Sequence, residues 1–182
     1  MKKPFKISSE WPRIVGLQAD NNGSIAAVWL AHDKQTDRIY LYDTVVFERE
    51  VFSAIAERIL GKDGKWKDIP ISWELSGEEV ARKLRERKCK TLFEGYRETP
   101  ALAEVTAREI WSRMENGLFL VGSHNQRWFD EKDRFWLSDK EVVPMEGFPL
   151  MSATRHAMAK IEKARRIGVK PRRIDYDNRG II

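Results

Sequence analysis

The chain is poor in the residue types that typically hold zinc or form disulfides, with one cysteine and three histidines among 182 residues. A single cysteine, Cys89, excludes an internal disulfide. The histidines His32, His124 and His156 are widely spaced and match no zinc-ligand pattern. We therefore expect these four side chains to pack or to face solvent, and the sequence predicts no zinc site.

Long apolar runs and a nucleotide-binding motif are also missing. The N-terminal residues MKKPFK lack the apolar core of a signal peptide, and no stretch reaches the roughly 18 apolar residues of a membrane span. A Gly-rich segment ending in Lys and Ser or Thr is absent, which excludes a Walker-type ATPase site. The sequence thus predicts an intracellular protein that makes no membrane contact and carries no Walker-type ATPase.

The residues that are abundant indicate a globular domain. The chain is 42% hydrophobic with seven Trp and eight Phe, whereas disordered chains are poor in aromatic residues. Its length is that of one domain. The net charge of +5 and a pI near 9.3 permit contact with nucleic acid without establishing it, since a soluble protein with a basic surface has the same charge.

The first half of the chain has the pattern of an antiparallel meander. Apolar or alternating runs at 13–17, 25–31 and 38–47 have strand length, and turn-forming residues such as Asp20-Asn21-Asn22-Gly23 separate the first two. These runs predict three consecutive strands joined by tight turns.

Helical and strand patterns alternate after the meander. Helices are predicted at 48–60, 77–88, 100–114 and 150–166, strands at 69–73, 91–93 and 118–121, and an aromatic helix or turn from 128 leads into a hairpin around 138–140. This order predicts an α/β fold with a mixed sheet of the ribonuclease H-like type, whose first three strands are antiparallel and which helices flank. We expect a lead at 1–11, the domain at 12–167 and a basic tail at 168–182.

An ordered set of segments resembles one protein family, the C-terminal nuclease domain of the phage terminase large subunit, which cuts DNA during packaging. The matching segments extend over roughly residues 11–165 and are RIVGLQ at 13–18, AAVWLAHD at 26–33, DRIYLYD at 37–43, IPISW at 69–73, RMENGLF at 113–119 and LMSATRHA at 150–157. One segment alone is a weak signal, but their common order and spacing are specific.

The resemblance implies a two-metal nuclease site built from carboxylates, because magnesium and manganese prefer oxygen ligands. Members of the family carry acids at the end of the first strand, after the fourth strand and at the start of the last helix. Those positions hold Gln18, Ser76 and Phe148-Pro149 in this chain. The resemblance therefore predicts a non-catalytic relative of phage or prophage origin that needs no cofactor and binds double-stranded DNA or packaging proteins in the cytoplasm of a bacterial host.

Two alternatives stay open at this stage. Shifted acids at Asp20, Glu74 and Glu146, each two residues from an expected position, would rebuild a magnesium- or manganese-dependent endonuclease. Each also has an ordinary interpretation, since Asp20 belongs to a turn, Glu74 suits a strand edge and Glu146 precedes Gly147 in a loop. The second alternative is a pure protein-interaction module without affinity for DNA.

Two further features have a structural and a functional interpretation. Ser76 stands where a helix cap is expected. A basic run near the C-terminus predicts either a solvated helix face or an arm that contacts phosphates, and the sequence favours neither. The run consists of Lys160, Lys163, Arg165, Arg166, Lys170, Arg172 and Arg173.

Overall fold

One mixed sheet organises the molecule. The computed structural model describes residues 5–20, 24–48, 50–61, 67–89, 91–136 and 147–168. Within them the sheet has the order β4-β1-β2-β3-β5, in which β1 to β3 are antiparallel neighbours, β4 is parallel to β1 and β5 is parallel to β3. The predicted fold class and antiparallel meander are confirmed. The strands are β1 (Arg13–Ala19), β2 (Ile25–Asp33), β3 (Arg38–Phe47), β4 (Ile71–Trp73) and β5 (Phe119–Val121).

Five α-helices among the described residues cover the sheet: α1 (Phe52–Leu60), α2 (Glu78–Glu86), α3 (Pro100–Glu115), α4 (Gln126–Trp136) and α5 (Pro149–Met158). The start of α3 shows why its sequence is helical. Pro100 occupies the first turn, where no backbone N–H group is needed, and the Thr99 hydroxyl accepts a 3.3 Å hydrogen bond from the Leu102 N–H group. Gly117 adopts a φ of 66° just after the helix, a conformation that favours glycine.

Apolar cores lie on both faces of the sheet, which explains the nearly continuous apolar sequence of β2. Side chains alternate between the faces along β1, so that Val15 and Leu17 pack on the side of α1 and α2. Ile14 packs on the other side, with α3, α4 and α5. No helix within the described segments has the length and apolar character needed to cross a membrane.

Helix α5 lies directly on β1 at Gly16. A Cβ atom built on Gly16 would lie 1.9 Å from the Ala153 carbonyl oxygen and 2.9 Å from the Ala157 Cβ atom. Only glycine therefore fits at this point of the strand. The close approach fixes the height of α5 above the sheet and so positions every side chain that α5 directs toward the end of β1.

The prediction of a helix at 150–166 is wrong in its second half. Helix α5 ends at Met158, and the chain then turns back through a short 3-10 turn, Ile161–Lys163. Arg165 pairs with Arg13 through two backbone hydrogen bonds of 2.7 and 3.0 Å. The reversal satisfies backbone groups at the start of β1, because β4 pairs with β1 only from Val15 onward.

Other boundaries differ locally. Helix α1 begins at Phe52 and not at 48, because Val51 has an extended conformation. The run at 91–93 forms only an isolated bridge between Leu92 and Ile71. Ser76 is no side-chain cap, since α2 follows Gly77 and the Glu74 carboxylate caps the turn Leu75–Gly77. The hairpin expected around 138–140 lies outside the described residues.

Candidate functional site

The carboxyl ends of β1 and β4 form one edge of the sheet (residues 17–20 and 73–76), which we call the carboxyl edge. Because the two strands are parallel neighbours, the residues that follow them emerge side by side. Gln18 Nε2 and Ser76 Oγ each donate a 3.2 Å hydrogen bond to the carbonyl oxygen of Ala19. The fold thus brings together two of the three positions at which the resemblance places an acid.

Four side chains at the carboxyl edge form a continuous series of hydrogen bonds, which we call the polar chain. The Tyr96 hydroxyl lies 2.7 Å from His156 Nδ1, and His156 Nε2 lies 2.8 Å from Gln18 Oε1. Gln18 Nε2 donates a 3.2 Å hydrogen bond to Asp20 Oδ1. The polar chain therefore links the end of β1, helix α5 and the segment that precedes α3.

The partners of Gln18 determine the direction of the polar chain. Its amide nitrogen faces two oxygen acceptors, Ala19 O and Asp20 Oδ1, so its amide oxygen must face His156. His156 then carries its proton on Nε2, and its unprotonated Nδ1 accepts a hydrogen bond from the Tyr96 hydroxyl. Each of the three bonds has one donor and one acceptor when the imidazole is neutral.

Burial keeps the polar chain in this state. Removal of His156 from water, together with the positive charge of Arg155, lowers the pKa of its imidazole to about 3. Burial also raises the pKa of the Tyr96 hydroxyl above its ordinary value, with the Glu98 carboxylate adding to the effect. Tyr96 stays a donor and His156 stays neutral throughout the physiological pH range.

A buried ion pair lies beside the polar chain. Arg155 Nε and Nη2 donate hydrogen bonds of 3.0 and 2.8 Å to the two carboxylate oxygens of Glu98, and Nη2 also lies 3.2 Å from Ser152 Oγ. Both charged side chains are almost fully buried. No sequence pattern points to Tyr96, Glu98 or this pairing, although a charged residue within the mainly apolar stretch of α5 is a usable signal.

The two displaced acids that the structure describes have local partners. Asp20 accepts a hydrogen bond from the Gln18 amide, and the Glu74 carboxylate accepts one of 2.9 Å from the backbone of Ser76. No group of three or more His, Cys, Asp or Glu side chains in the described part of the chain has an arrangement that would hold a metal ion. Glu146 lies outside the described residues.

The third expected acid position lies at the start of α5, about two helical turns before His156. Helix α5 packs on β1, with Ala153 and Ala157 against Gly16 and His156 against Gln18. Phe148 and Pro149 begin this helix eight and seven residues before His156. At about 1.5 Å per residue they lie roughly 11–12 Å upstream along its axis. His156, and not Phe148 or Pro149, is the α5 residue that meets Gln18.

The start of α5 is held by a carboxylate from another helix. Its cap residue, Phe148, provides no side-chain acceptor. Oε2 of the buried Glu131 instead accepts hydrogen bonds of 2.8 and 3.2 Å from the backbone N–H groups of Leu150 and Met151. Burial raises the pKa of Glu131, while these two bonds act in the opposite direction. An acid therefore lies near the start of α5, but it belongs to α4 and caps the N-terminus of α5.

The first two members of the basic run lie next to the site. The Lys160 ammonium is 5.7 Å from the centroid of the Tyr96 ring, and the Lys163 ammonium is 5.6 Å from that of Phe93. Both cations therefore lie over aromatic rings of the segment that contributes to the polar chain.

The next two members lie near the opposite end of β1. Arg165 is exposed and paired with Arg13 through its backbone, and the Arg166 guanidinium is 3.1 Å from a Glu10 carboxylate oxygen. These residues do not lie on one face of a helix, because α5 ends at Met158. The interpretation of the run as a solvated helix face is therefore wrong for residues 159–166. Outside the described residues lie Lys170, Arg172 and Arg173.

The sheet order, the parallel β4 beside β1 and helix α5 over β1 define a ribonuclease H-like fold. The chain is similar to the nuclease domain of the large terminase of P22, with a TM-score of 0.74 and 16% identity over 91% of this chain and 89% of that one. The manganese-bound nuclease domain of the g2p large terminase from bacteriophage SPP1 has a TM-score of 0.60 and 18% identity over 87% and 94% of the two chains.

A third solved structure agrees with these two. The large terminase nuclease of thermophilic phage G20c has a TM-score of 0.63 and 12% identity, covering 85% of this chain and 84% of that one. No protein-family model and no curated protein matches the sequence. This chain therefore has the fold of phage large terminase nuclease domains, as its ordered segments predicted.

Proposed function

We propose that this protein is a terminase nuclease-like protein that binds DNA without cutting it. The observation that carries the proposal is the polar chain, in which a neutral amide and a neutral imidazole occupy the carboxyl edge. Both amide hydrogens of Gln18 and both ring nitrogens of His156 are already used within the protein. An origin in a phage or prophage and action in the cytoplasm of a bacterial host are part of the same proposal.

The chemistry of the available ligands supports the non-catalytic part. Two divalent ions about 3.5–4 Å apart need several anionic oxygens to offset their repulsion. Gln18 and Ser76 offer neutral oxygen atoms, and Phe148 and Pro149 have no side-chain ligand at all. Asp20 and Glu74 are each engaged in a local hydrogen bond. The residues at the carboxyl edge thus do not fit the two-metal centre that the fold implies.

The direct test is cleavage of supercoiled plasmid DNA by the purified protein in magnesium or manganese. We expect background cleavage, because the described residues offer no set of carboxylates arranged to hold the ions or to activate water. Metal-dependent cleavage that is lost in both Asp20→Ala and Glu74→Ala would overturn the proposal in favour of the displaced-acid nuclease.

A pair of variants makes the same test stronger. Gln18→Asp combined with Ser76→Asp places carboxylates at the two positions that share the Ala19 carbonyl, and manganese binding by this double variant can be followed by titration calorimetry. We expect tighter manganese binding than in the matched pair Gln18→Asn with Ser76→Asn, which has similar shape but no charge. Equal binding by the two double variants would mean that these positions do not face a common ion.

The DNA-binding part is tested separately with a fluorescent duplex. Binding is expected to be independent of sequence and to weaken steeply with salt, since phosphate neutralisation releases counterions. Capture of a packaging protein combined with no DNA binding even at low salt would favour the interaction module and would contradict the DNA-binding part.

A further inference from the structure

The segment after α5 returns along the sheet beside the polar chain. Helix α5 brings His156 to Gln18 at the carboxyl edge. Beyond α5 the chain leads from Lys160, which lies beside the carboxyl edge, to Arg165, which pairs with Arg13 at the start of β1. Residues 160–165 therefore extend from the carboxyl edge back to the amino end of β1.

Three cations are spaced along this return segment. Lys160 lies over Tyr96, which is paired with Glu74 at the carboxyl edge. Lys163 lies over Phe93, which hydrogen-bonds to Ile71 at the start of the edge strand β4, and Arg165 lies at the amino end of β1. We call these three residues, Lys160, Lys163 and Arg165, the basic track.

The length of the basic track follows from the strand beside it. Arg13 and Gln18 mark its two ends and are five residues apart, which corresponds to about 16 Å at roughly 3.3 Å per residue. Duplex DNA rises about 3.4 Å per nucleotide of each strand, so the track matches the axial length of about five base pairs.

The charges of the track are not neutralised by described neighbours. Among the ion pairs of the described residues, none includes Lys160, Lys163 or Arg165, whereas Arg166 is paired with Glu10 and Arg155 with Glu98. Lys163 and Arg165 are exposed and Lys160 is half-buried. Aromatic rings support the two lysines, so their ammonium groups are held near fixed positions without losing charge.

We propose that the basic track is a phosphate-contacting surface that lays one strand of duplex DNA past the polar chain. This inference rests on the proposed DNA binding. It adds which residues contact the phosphates and that the DNA strand lies along the length of β1. Arg166 is excluded from the track although it adjoins Arg165 in sequence. Phosphate contacts of this kind position DNA without reading its sequence.

The test compares two triple variants that remove the same charge. The track variant is Lys160→Gln, Lys163→Gln and Arg165→Gln. The control variant is Arg82→Gln, Lys83→Gln and Arg108→Gln, which alters three exposed or half-exposed cations on α2 and α3 that pair with carboxylates of their own helices. Circular dichroism and thermal unfolding check that both variants are folded.

Binding of a fluorescent duplex is measured between about 20 and 200 mM salt. Each lost phosphate contact is expected to reduce the slope of log affinity against log salt by about 0.9, so the track variant should lose about 2.7 and the control should keep the wild-type slope. If the wild-type protein binds DNA but the track and control variants have the same slope of log affinity against log salt, the basic track is wrong and the proposed DNA binding still stands. Failure of the wild-type protein to bind duplex DNA at 20 mM salt overturns the proposed DNA binding and the track with it.

Discussion

The Nε2 atom of His156 lies 2.8 Å from Oε1 of Gln18, which joins the last helix to the end of the first strand. The two residues are 138 positions apart in the chain. Their contact converts a position where the terminase resemblance places an acid into one member of a neutral hydrogen-bonded series, and the first two predictions follow from it.

Gln18→Glu should destabilise the protein. The substitution keeps the acceptor for His156 but removes the amide hydrogens that bind Ala19 and Asp20, and it places a second carboxylate near Asp20. Loss of partly buried hydrogen bonds of this kind costs about 1–3 kcal/mol. Urea unfolding measures the change. Adding Asp20→Asn should restore part of the loss, and no recovery in the double variant would contradict the arrangement of the polar chain.

The stability of the protein should fall with acidification because of His156. Its pKa is about 3 in the folded state against 6.5 for an unperturbed imidazole. Below pH 6.5 the unfolded chain binds a proton at this imidazole that the folded protein does not. The free energy of unfolding therefore decreases by up to about 1.4 kcal/mol for each pH unit between pH 6.5 and pH 3. Unfolding free energies at pH 7 and pH 5 measure it.

The matched variant for this pH dependence is His156→Gln, which has no titrating group at that position. Its unfolding free energy should fall less between pH 7 and pH 5 than that of the wild type, with a difference of about 2 kcal/mol from the linkage relation. Parallel pH profiles for the two proteins would show that His156 is not held neutral.

Arg155→Met should be strongly destabilising because it leaves the buried Glu98 carboxylate without its partner. Breaking one side of a buried pair typically costs about 3–5 kcal/mol. The double variant Arg155→Met with Glu98→Gln should be more stable than the single variant, since it removes the unpaired charge. Thermal and urea unfolding test both, and a double variant that is less stable than Arg155→Met would contradict a direct pairing.

Gly16→Ala should disturb the packing of α5 on β1. The added Cβ atom meets backbone, the Ala153 carbonyl at 1.9 Å, which cannot rotate away. Overpacking of this kind costs about 1–3 kcal/mol or more. Gly117→Asn is the control, because no atom lies within 4 Å of a Cβ there and asparagine tolerates its φ of 66°. Equal stability of the two variants would argue against the close approach at Gly16.

The local patterns of this sequence were sufficient to predict the antiparallel strands β1 to β3 and the positions of most of the described helices. Alternating apolar residues and turn clusters predicted β1 to β3, and Pro100 and Gly117 predicted the limits of α3, because these signals act over a few neighbouring residues. The apolar pattern of 150–166 continues past the end of α5 at Met158, because beyond that residue the chain turns and Arg165 pairs with the start of β1.

The site itself combines what the sequence alone determined with what only the tertiary structure decided. The sequence determined that Gln18 and Ser76 are neutral residues at strand ends, and that a ribonuclease H-like order would place them at one edge. The fold decided that His156 faces Gln18, that Tyr96 and Glu98 join the site, and that the described part of the basic run extends from one end of β1 to the other. Such contacts depend on the direction and height of α5 over β1, and both are set by packing between residues more than a hundred positions apart.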